Sequence, residues 1–220
     1  MHFFDIESIF FEIWGYSMSN LEFFGTVAGG IAVWLAARAN IWSWPIGLIN
    51  VTLFFFLFFQ IQLYPDMFLQ VFFFVTNIMG WWRWAHPKPE EEDKKNELRI
   101  SFMPIKQLAV FSLIGILGTI LMGAFASNLH DWFSIVFNQP SAFPYLDSFV
   151  TVMSIVATYL MIQKKVECWM IWIVVDVVAT GLYFAKGIKF VGIEYLLFCF
   201  LAAFGLWKWI KEYKSYSPAT

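Results

Sequence analysis

Charged residues are scarce in this sequence, and their scarcity excludes most classes of soluble protein. Of 220 residues, 14% are Asp, Glu, Lys or Arg, against roughly 25% in an ordinary soluble domain. Hydrophobic residues make up 60% of the chain, with 27 Phe and 12 Trp. A soluble core of this size cannot bury so much apolar surface, whereas a bilayer can surround it. The sequence therefore predicts an integral membrane protein. Its net charge of −2 provides no basic surface for a nucleic acid.

Cysteine and histidine are too few and too scattered for a metal centre. Both Cys residues lie inside apolar runs and are interpreted as small buried hydrophobic residues. The three His residues lie outside those runs without any metal-ligand spacing, at His2, His86 and His130. The pattern Gly-x4-Gly-Lys-Ser/Thr, which would bind ATP phosphates, is absent. With no nucleophile–base pair inside the apolar runs, we expect neither catalytic residues nor a cofactor.

Seven apolar segments, divided by charged residues, are each long enough to cross ~30 Å of hydrocarbon. They cover approximately residues 22–38, 42–62, 66–83, 108–126, 147–164, 167–186 and 190–210. Aromatic residues cluster at their ends, as is typical of an interfacial belt, at Trp42, Trp44, Trp81, Trp82, Trp84, Trp207 and Trp209. Before the first span, the apolar residues of 2–18 follow helical spacing. Residues 1–21 are therefore predicted to form an amphipathic helix in the membrane interface rather than a signal peptide.

The basic residues are distributed asymmetrically across the predicted spans. Of the 14 Lys and Arg residues, all but Lys186 and Lys189 fall on one side. The positive-inside rule makes that side cytoplasmic. We therefore expect the C-terminus inside the cell and the N-terminus outside.

The chain aligns with itself when it is shifted by 125 residues. Residues 22–84 lie over 147–209 without a gap, and Gly80-Trp-Trp-Arg-Trp84 matches Gly205-Leu-Trp-Lys-Trp209. Two three-helix units in the same orientation need one extra helix between them, and the uncharged fourth span serves as that connector. The predicted fold is an all-α membrane protein with a 3+1+3 arrangement of parallel repeats, as in the SWEET transporters. The predicted segments are an interfacial helix at 1–21, repeats at 22–84 and 147–210, a cytoplasmic loop at 85–105, a linker helix at 106–126, an external loop at 127–146 and a tail at 211–220.

Polar residues inside the spans mark a candidate substrate pathway, because each is costly in hydrocarbon. By helical rise, Asn50, Asn77 and Asp176 each lie roughly 8–11 Å from the cytoplasmic ends of their helices. A second predicted layer, which contains Gln70, Tyr183 and Tyr195, lies deeper in the membrane. Residues on the same helical stripes complete the predicted lining, which comprises Trp44, Asn50, Gln70, Phe73, Asn77, Trp81, Asp176, Thr180, Tyr183, Tyr195 and Phe198. Amides, hydroxyls, aromatic faces and one carboxylate suit a flat, cationic ring with polar substituents. Interhelical hydrogen bonding is an alternative role for Asn50 and Asn77, and a structural role is one for Asp176.

Several of these segments resemble the PnuC family of vitamin transporters. The resemblance covers residues 20–211 and is carried by Trp42-Ser-Trp44-Pro45-Ile-Gly47-Leu-Ile-Asn50, Tyr64-Pro-Asp66, Gln70 and, most specifically, Asn77-Ile-Met-Gly80-Trp81-Trp82-Arg-Trp84. It implies a SWEET-like fold in a bacterial inner membrane, a homotrimer, and import of nicotinamide riboside by facilitated diffusion. Cytosolic phosphorylation would then trap the imported riboside. The N-terminus would be periplasmic.

Two alternatives to nicotinamide riboside transport remain open at this point. Other members of the same family carry thiamine or riboflavin. A membrane enzyme or receptor is a different class of protein, but the sequence offers no catalytic constellation and no sizeable soluble output region. The lone deep carboxylate Asp176, without a deep His, favours a uniporter over a proton-coupled carrier.

Overall fold

The computed structural model describes residues 3–13, 16–60, 64–132, 142–187 and 189–216. Within them the chain forms a two-stranded hairpin, seven α-helices and one short 3-10 turn at Pro89–Glu91. The strands are β1 (Ile9–Ile13) and β2 (Tyr16–Ser19). The helices are α1 (Asn20–Ala37), α2 (Ser43–Gln60), α3 (Tyr64–Ala85), α4 (Ile105–Trp132), α5 (Pro144–Ile162), α6 (Glu167–Ala185) and α7 (Lys189–Lys214).

Six of these helices are long and apolar enough to cross a membrane, counting only the part of the chain that is described. They are α1, α2, α4, α5, α6 and α7. The helix α3 is absent from this group although it is 22 residues long. Its sequence includes Gln70, Thr76, Asn77 and Arg83, which lower its mean hydropathy. The chain is thus a mainly helical, multi-pass membrane protein.

The chain divides into two compact units. The first, residues 1–99, contains the hairpin and the helices α1 to α3, with α2 packed against both α1 and α3. The second, residues 100–220, contains α4 to α7, with α6 packed against both α5 and α7 and with α4 packed along α5. In each unit the middle helix of the predicted repeat therefore contacts both of its neighbours.

The offset of 125 residues also relates the helix ends. Adding it to Ala37 and Gln60 gives Ile162 and Ala185, where α5 and α6 end. The helices α1 and α5 end in the same way, with the second residue after the helix in the left-handed region, at Ala39 (φ 52°) and Lys164 (φ 53°). The next amide after each then bonds back to the helix, Asn40 to Leu35 and Lys165 to Leu160. This is a Schellman cap formed without glycine, at some conformational cost.

The prediction of an amphipathic helix over residues 2–18 is wrong for the described part of that segment. Ile9–Ile13 and Tyr16–Ser19 form two antiparallel strands instead, with an irregularity between Ile9 and Phe11. Bulky aromatic and β-branched residues favour strands, and apolar residues are so dense here that they satisfy either periodicity. Residues 1, 2, 14 and 15 lie outside the described residues.

The hairpin segment, which comprises the described residues 3–13 and 16–19, contacts the adjoining ends of α1 and α2. The Gln60 side chain accepts from the Ile6 amide at 3.1 Å and donates to the Phe4 carbonyl at 2.7 Å. The Phe10 ring stacks on Phe23, with centroids 4.2 Å apart. At the start of α1, Ser19 accepts from the Glu22 amide at 3.2 Å and caps the helix.

The segment between α3 and α4 is more structured than a solvated loop. In the first unit, Arg83 donates to Glu91 at 2.7 Å, and this hydrogen bond holds the pKa of the Glu91 carboxyl below its usual range. In the second unit, Ser101 pairs with the turn between α5 and α6. There the Glu167 carboxylate accepts from the Met103 amide at 2.9 Å.

Candidate functional site

In the first unit, the contact between α2 and α3 brings two of the predicted residues together with two glycines. The Trp44 ring covers Gly80 so closely that a β-carbon there would overlap the ring. One turn further along α2, the Asn77 side-chain oxygen lies against Gly47 in the same manner. The Asn77 side-chain nitrogen donates to the Phe73 carbonyl of its own helix at 2.8 Å. The amide oxygen of Asn77 therefore points toward α2, where small residues leave it room.

Asn50 faces α1 in this unit. Its side-chain nitrogen donates to the Gly25 carbonyl at 2.8 Å, and Gly29 leaves space for it. The alternative of interhelical hydrogen bonding is therefore realised for the nitrogen of Asn50. The side chain remains only half-buried, so this bond does not exclude a second role for its oxygen.

The other predicted residues of this unit lie along α3. Gln70 and Phe73 are half-buried, and Trp81 is 42% exposed. The ring that meets Trp44 is that of Trp84, with centroids 5.2 Å apart and planes at 88°. The helical stripe on α3 predicted that Trp81 faces the substrate. The buried tryptophan that contacts Trp44 is Trp84 instead.

The same arrangement recurs in the second unit at the positions shifted by 125 residues. Trp169 and Trp209 form an edge-to-face pair, with centroids 5.5 Å apart and planes at 87°. A β-carbon on Gly205 would lie 2.7 Å from the Trp169 ring. Trp84 and Trp209 are fully buried, so their assignment to an interfacial belt is wrong. Trp42, Trp82 and Trp207 are exposed, as such a belt requires.

Asp176 lies in the middle of α6 and is 3% exposed. It is within electrostatic range of Tyr195 and Cys199 on α7. The Thr180 hydroxyl donates to the backbone carbonyl of Asp176 at 2.7 Å, so it does not serve the carboxylate through that bond. The described residues provide neither an ion pair nor a hydrogen bond to the Asp176 carboxylate.

Aromatic residues from α6 and α7 lie beside this carboxylate. Tyr183 and Tyr195 stack with centroids 5.3 Å apart and planes at 12°, and their hydroxyl groups interact. Phe198 meets Tyr195 edge-on, with centroids 6.3 Å apart. The structure thus brings the predicted residues of this unit together. It adds Cys199, which interacts with the Thr180 hydroxyl and which its apolar sequence context concealed.

The two units share a scaffold but differ in polar chemistry. The positions of Asn50 and Asn77 correspond to Val175 and Ala202 in the second unit, and that of Asp176 corresponds to Val51 in the first. The first unit therefore offers neutral amides, which donate and accept hydrogen bonds. The second offers a carboxylate and phenol rings, which favour positive charge.

Comparison with known proteins identifies relatives along nearly the whole chain. The family model described as nicotinamide mononucleotide transporter matches residues 19–211. The nicotinamide riboside transporter PnuC of Escherichia coli is 34% identical over 231 residues, covering 96% of this chain and 95% of that protein. The riboflavin/roseoflavin transporter RibM of Streptomyces davaonensis is 25% identical, covering 84% and 82%. The crystal structure of the vitamin B3 transporter PnuC has the same fold, with a TM-score of 0.65 at 24% identity, covering 90% and 83%.

Six apolar helices with polar side chains among them define a multi-pass membrane protein. The match over residues 19–211 shows that the chain belongs to the nicotinamide mononucleotide transporter family. The resemblance to the PnuC family is confirmed by the E. coli relative and by the fold. The family and these relatives are transporters rather than enzymes.

Proposed function

We propose that this protein imports nicotinamide riboside, an NAD precursor, across a bacterial inner membrane by facilitated diffusion. The substrate assignment rests on the relative named as a nicotinamide riboside transporter, which is 34% identical over 96% of this chain. The observation that carries the transport role is the set of polar side chains within otherwise apolar helices, above all the buried carboxylate of Asp176. Such groups mark substrate pathways in membrane proteins.

The proposed architecture has seven transmembrane helices in a 3+1+3 arrangement, with α4 as the connector. Supporting it are the offset of 125 residues between the helix ends and the paired tryptophan contacts. The proposal counts α3 as a span, because a helix that lines a pathway can carry polar residues. The distribution of Lys and Arg supports a periplasmic N-terminus and a cytoplasmic C-terminus.

The proposed substrate contacts are the polar and aromatic side chains that the sequence predicted. The side-chain oxygens of Asn50 and Asn77, together with Gln70, would bind the ribose hydroxyls and the carboxamide. Asp176 and the stacked phenols would favour the positively charged pyridinium ring. Phe73, Phe198, Thr180, Trp44 and Trp81 would complete the lining.

A different vitamin is the second candidate, since a riboflavin/roseoflavin transporter is also a relative and thiamine carriers belong to the family that the sequence resembles. Titration of purified protein with nicotinamide riboside, thiamine and riboflavin separates these substrates. We expect nicotinamide riboside to bind most tightly. Binding of only one of the other two vitamins would replace the substrate in this proposal.

The site is tested by alanine variants measured with the same titration. Asn77→Ala, Asn50→Ala, Gln70→Ala and Asp176→Ala should each weaken binding by about 5- to 150-fold, the cost of one lost hydrogen bond to a buried group. Leu117→Ala is the control, because Leu117 lies on α4 and is 49% exposed. If Asn50→Ala and Asn77→Ala both bind normally, these amides serve only to join helices and the site lies elsewhere.

A further inference from the structure

The Asp176 carboxylate is buried in a mainly apolar helix. Among the residues that the structure describes, none forms an ion pair with it. We propose that Asp176 makes the site selective for positive charge, so that it prefers a cationic heteroaromatic ring over a neutral ring of the same shape. This inference rests on the proposed function and deepens it, because it names the property by which the substrate class is selected.

Although the Lys186 ammonium lies 5.7 Å from the centroid of the Tyr183 ring, no cation among the residues described pairs with the carboxylate of Asp176. The groups that face it from α7, Tyr195 and Cys199, are uncharged as phenol and thiol. In the second unit, Lys186 bonds to Asp147 at 2.6 Å and Lys165 donates to Ser101 at 2.8 Å. Neither ammonium group is therefore committed to Asp176.

An isolated carboxylate in such a place is unfavourable unless a cation or a proton accompanies it. A bound cationic ring would supply the missing charge. The ring of Tyr195, which lies within electrostatic range of Asp176, would add cation–π attraction. A neutral ring would keep the stacking but would leave the carboxylate uncompensated.

This mechanism divides the vitamins carried by related proteins by charge. Nicotinamide riboside carries a pyridinium ring and thiamine carries a thiazolium ring, so both are cations. Riboflavin and the reduced, dihydropyridine form of nicotinamide riboside are neutral. The reduced form is the most informative probe, because it keeps the ribose and the carboxamide while the ring loses its charge, its aromaticity and the planarity at one carbon.

The test compares binding of nicotinamide riboside and its reduced form to the purified protein and to Asp176→Asn. The native protein should prefer the oxidised cation by about 10-fold or more, the scale of a charge-assisted contact. Asp176→Asn should weaken binding of the cation by a similar factor and leave the neutral form unchanged. Glu167→Gln is the matched control, because it neutralises another buried carboxylate of α6, already bonded to the Met103 amide, and it should retain the preference.

Each other outcome decides between the two proposals. Equal binding of the oxidised and reduced forms by the native protein would overturn charge selection and leave vitamin transport intact. Equal binding is the result expected if Asp176 is protonated and therefore neutral. Failure of every vitamin to bind would overturn the transport proposal and this inference together. Equal binding by the native protein overturns the proposal even if Asp176→Asn fails to fold, because that comparison needs no variant. A preference for the cation that persists unchanged in Asp176→Asn would also overturn it, because the selection would then come from other groups.

Discussion

At the scale of residues, the strongest structural signal is a tryptophan placed on a glycine, once in each unit. Trp44 lies over Gly80 and Trp169 lies over Gly205. Each tryptophan also meets a fully buried tryptophan, Trp84 or Trp209, edge-on. Such pairs add ~0.5–1.5 kcal/mol beyond the area they bury. The contact joins α2 to α3 in the first unit and α6 to α7 in the second.

This contact predicts that neither glycine tolerates a methyl group. Gly80→Ala and Gly205→Ala should each lower the free energy of unfolding by about 1–3 kcal/mol, because the added carbon forces the indole ring aside. The measurement is thermal or chemical denaturation of the purified protein in detergent.

Matched controls for these variants lie on other helices of the same units. Gly30 and Gly181 have open space where a β-carbon would be, so Gly30→Ala and Gly181→Ala should be neutral or stabilise their helices by up to ~1 kcal/mol. Equal stability of Gly80→Ala and Gly30→Ala would contradict the tight contact.

The tryptophans also show where sequence reasoning fails at this scale. Trp82 and Trp84 both follow Gly80 at the end of α3, and an amphipathic ring at a helix end suits either an interface or a packed core. The structure exposes 62% of Trp82 and buries Trp84 completely. The difference depends on what faces each residue from α2, which helical spacing within α3 does not contain. The repeated Gly-x-Trp-x-Trp run was the available signal.

At the scale of elements, charged residues predicted the helices well because they interrupt apolar runs close to the helix ends. The N-terminal hairpin was missed for the opposite reason. Its apolar residues are too dense to favour one period, and its position depends on distant partners such as Gln60. Among the site residues, depth along a helix was predictable. The direction in which each side chain points was not predictable, since Asn50 turns toward α1 and Asn77 toward α2.

The hairpin segment should loosen when its contact with α2 is removed. Gln60 bonds to the Ile6 amide and the Phe4 carbonyl, so Gln60→Ala removes both links at once. Amide hydrogen exchange of residues 4–8 should accelerate by about 5-fold or more, as expected for at least one net hydrogen bond.

Gln60→Glu refines this test because it keeps the acceptor for Ile6 and loses the donor to Phe4, so its effect should be intermediate. Gln107→Ala, at an exposed position in α4, should leave the exchange unchanged. Unaltered exchange in Gln60→Ala would mean that the phenylalanine contacts alone hold the segment.

At the scale of the whole molecule, the distribution of basic residues predicts the orientation in the membrane. A reporter that works only in the cytoplasm should be active when fused after Thr220 or inserted at residues 90–96, since Lys and Arg concentrate on that side. It should be inactive at residues 138–141, which lie outside the described residues. An active reporter at 138–141, or a silent one after Thr220, would contradict this orientation or the assignment of the spans.

The same scale decides whether transport is coupled to an ion. A proton-coupled carrier needs a titrating group that meets both substrate and water, usually with relay partners. A sodium-coupled carrier places several oxygen ligands at unwound breaks in its helices. The sequence has one deep carboxylate and no histidine within its apolar runs, and the described helices α2 and α6 are continuous. These features favour a uniporter, in which the substrate itself supplies the positive charge that balances the Asp176 carboxylate.

A uniporter should exchange labelled nicotinamide riboside across sealed liposomes that hold equal concentrations on both sides and no ion gradient. An imposed proton or sodium gradient should not raise the internal concentration above the external one. The membrane voltage must be held at zero, because a cationic substrate follows a potential even through a uniporter.

Glu167→Gln controls for loss of a carboxylate elsewhere on α6 and should behave like the native protein. Accumulation driven by a proton gradient in the native protein, and lost in Asp176→Asn, would instead make Asp176 a proton-carrying site. Substrate would then enter against a carboxyl group that cycles between its charged and neutral forms.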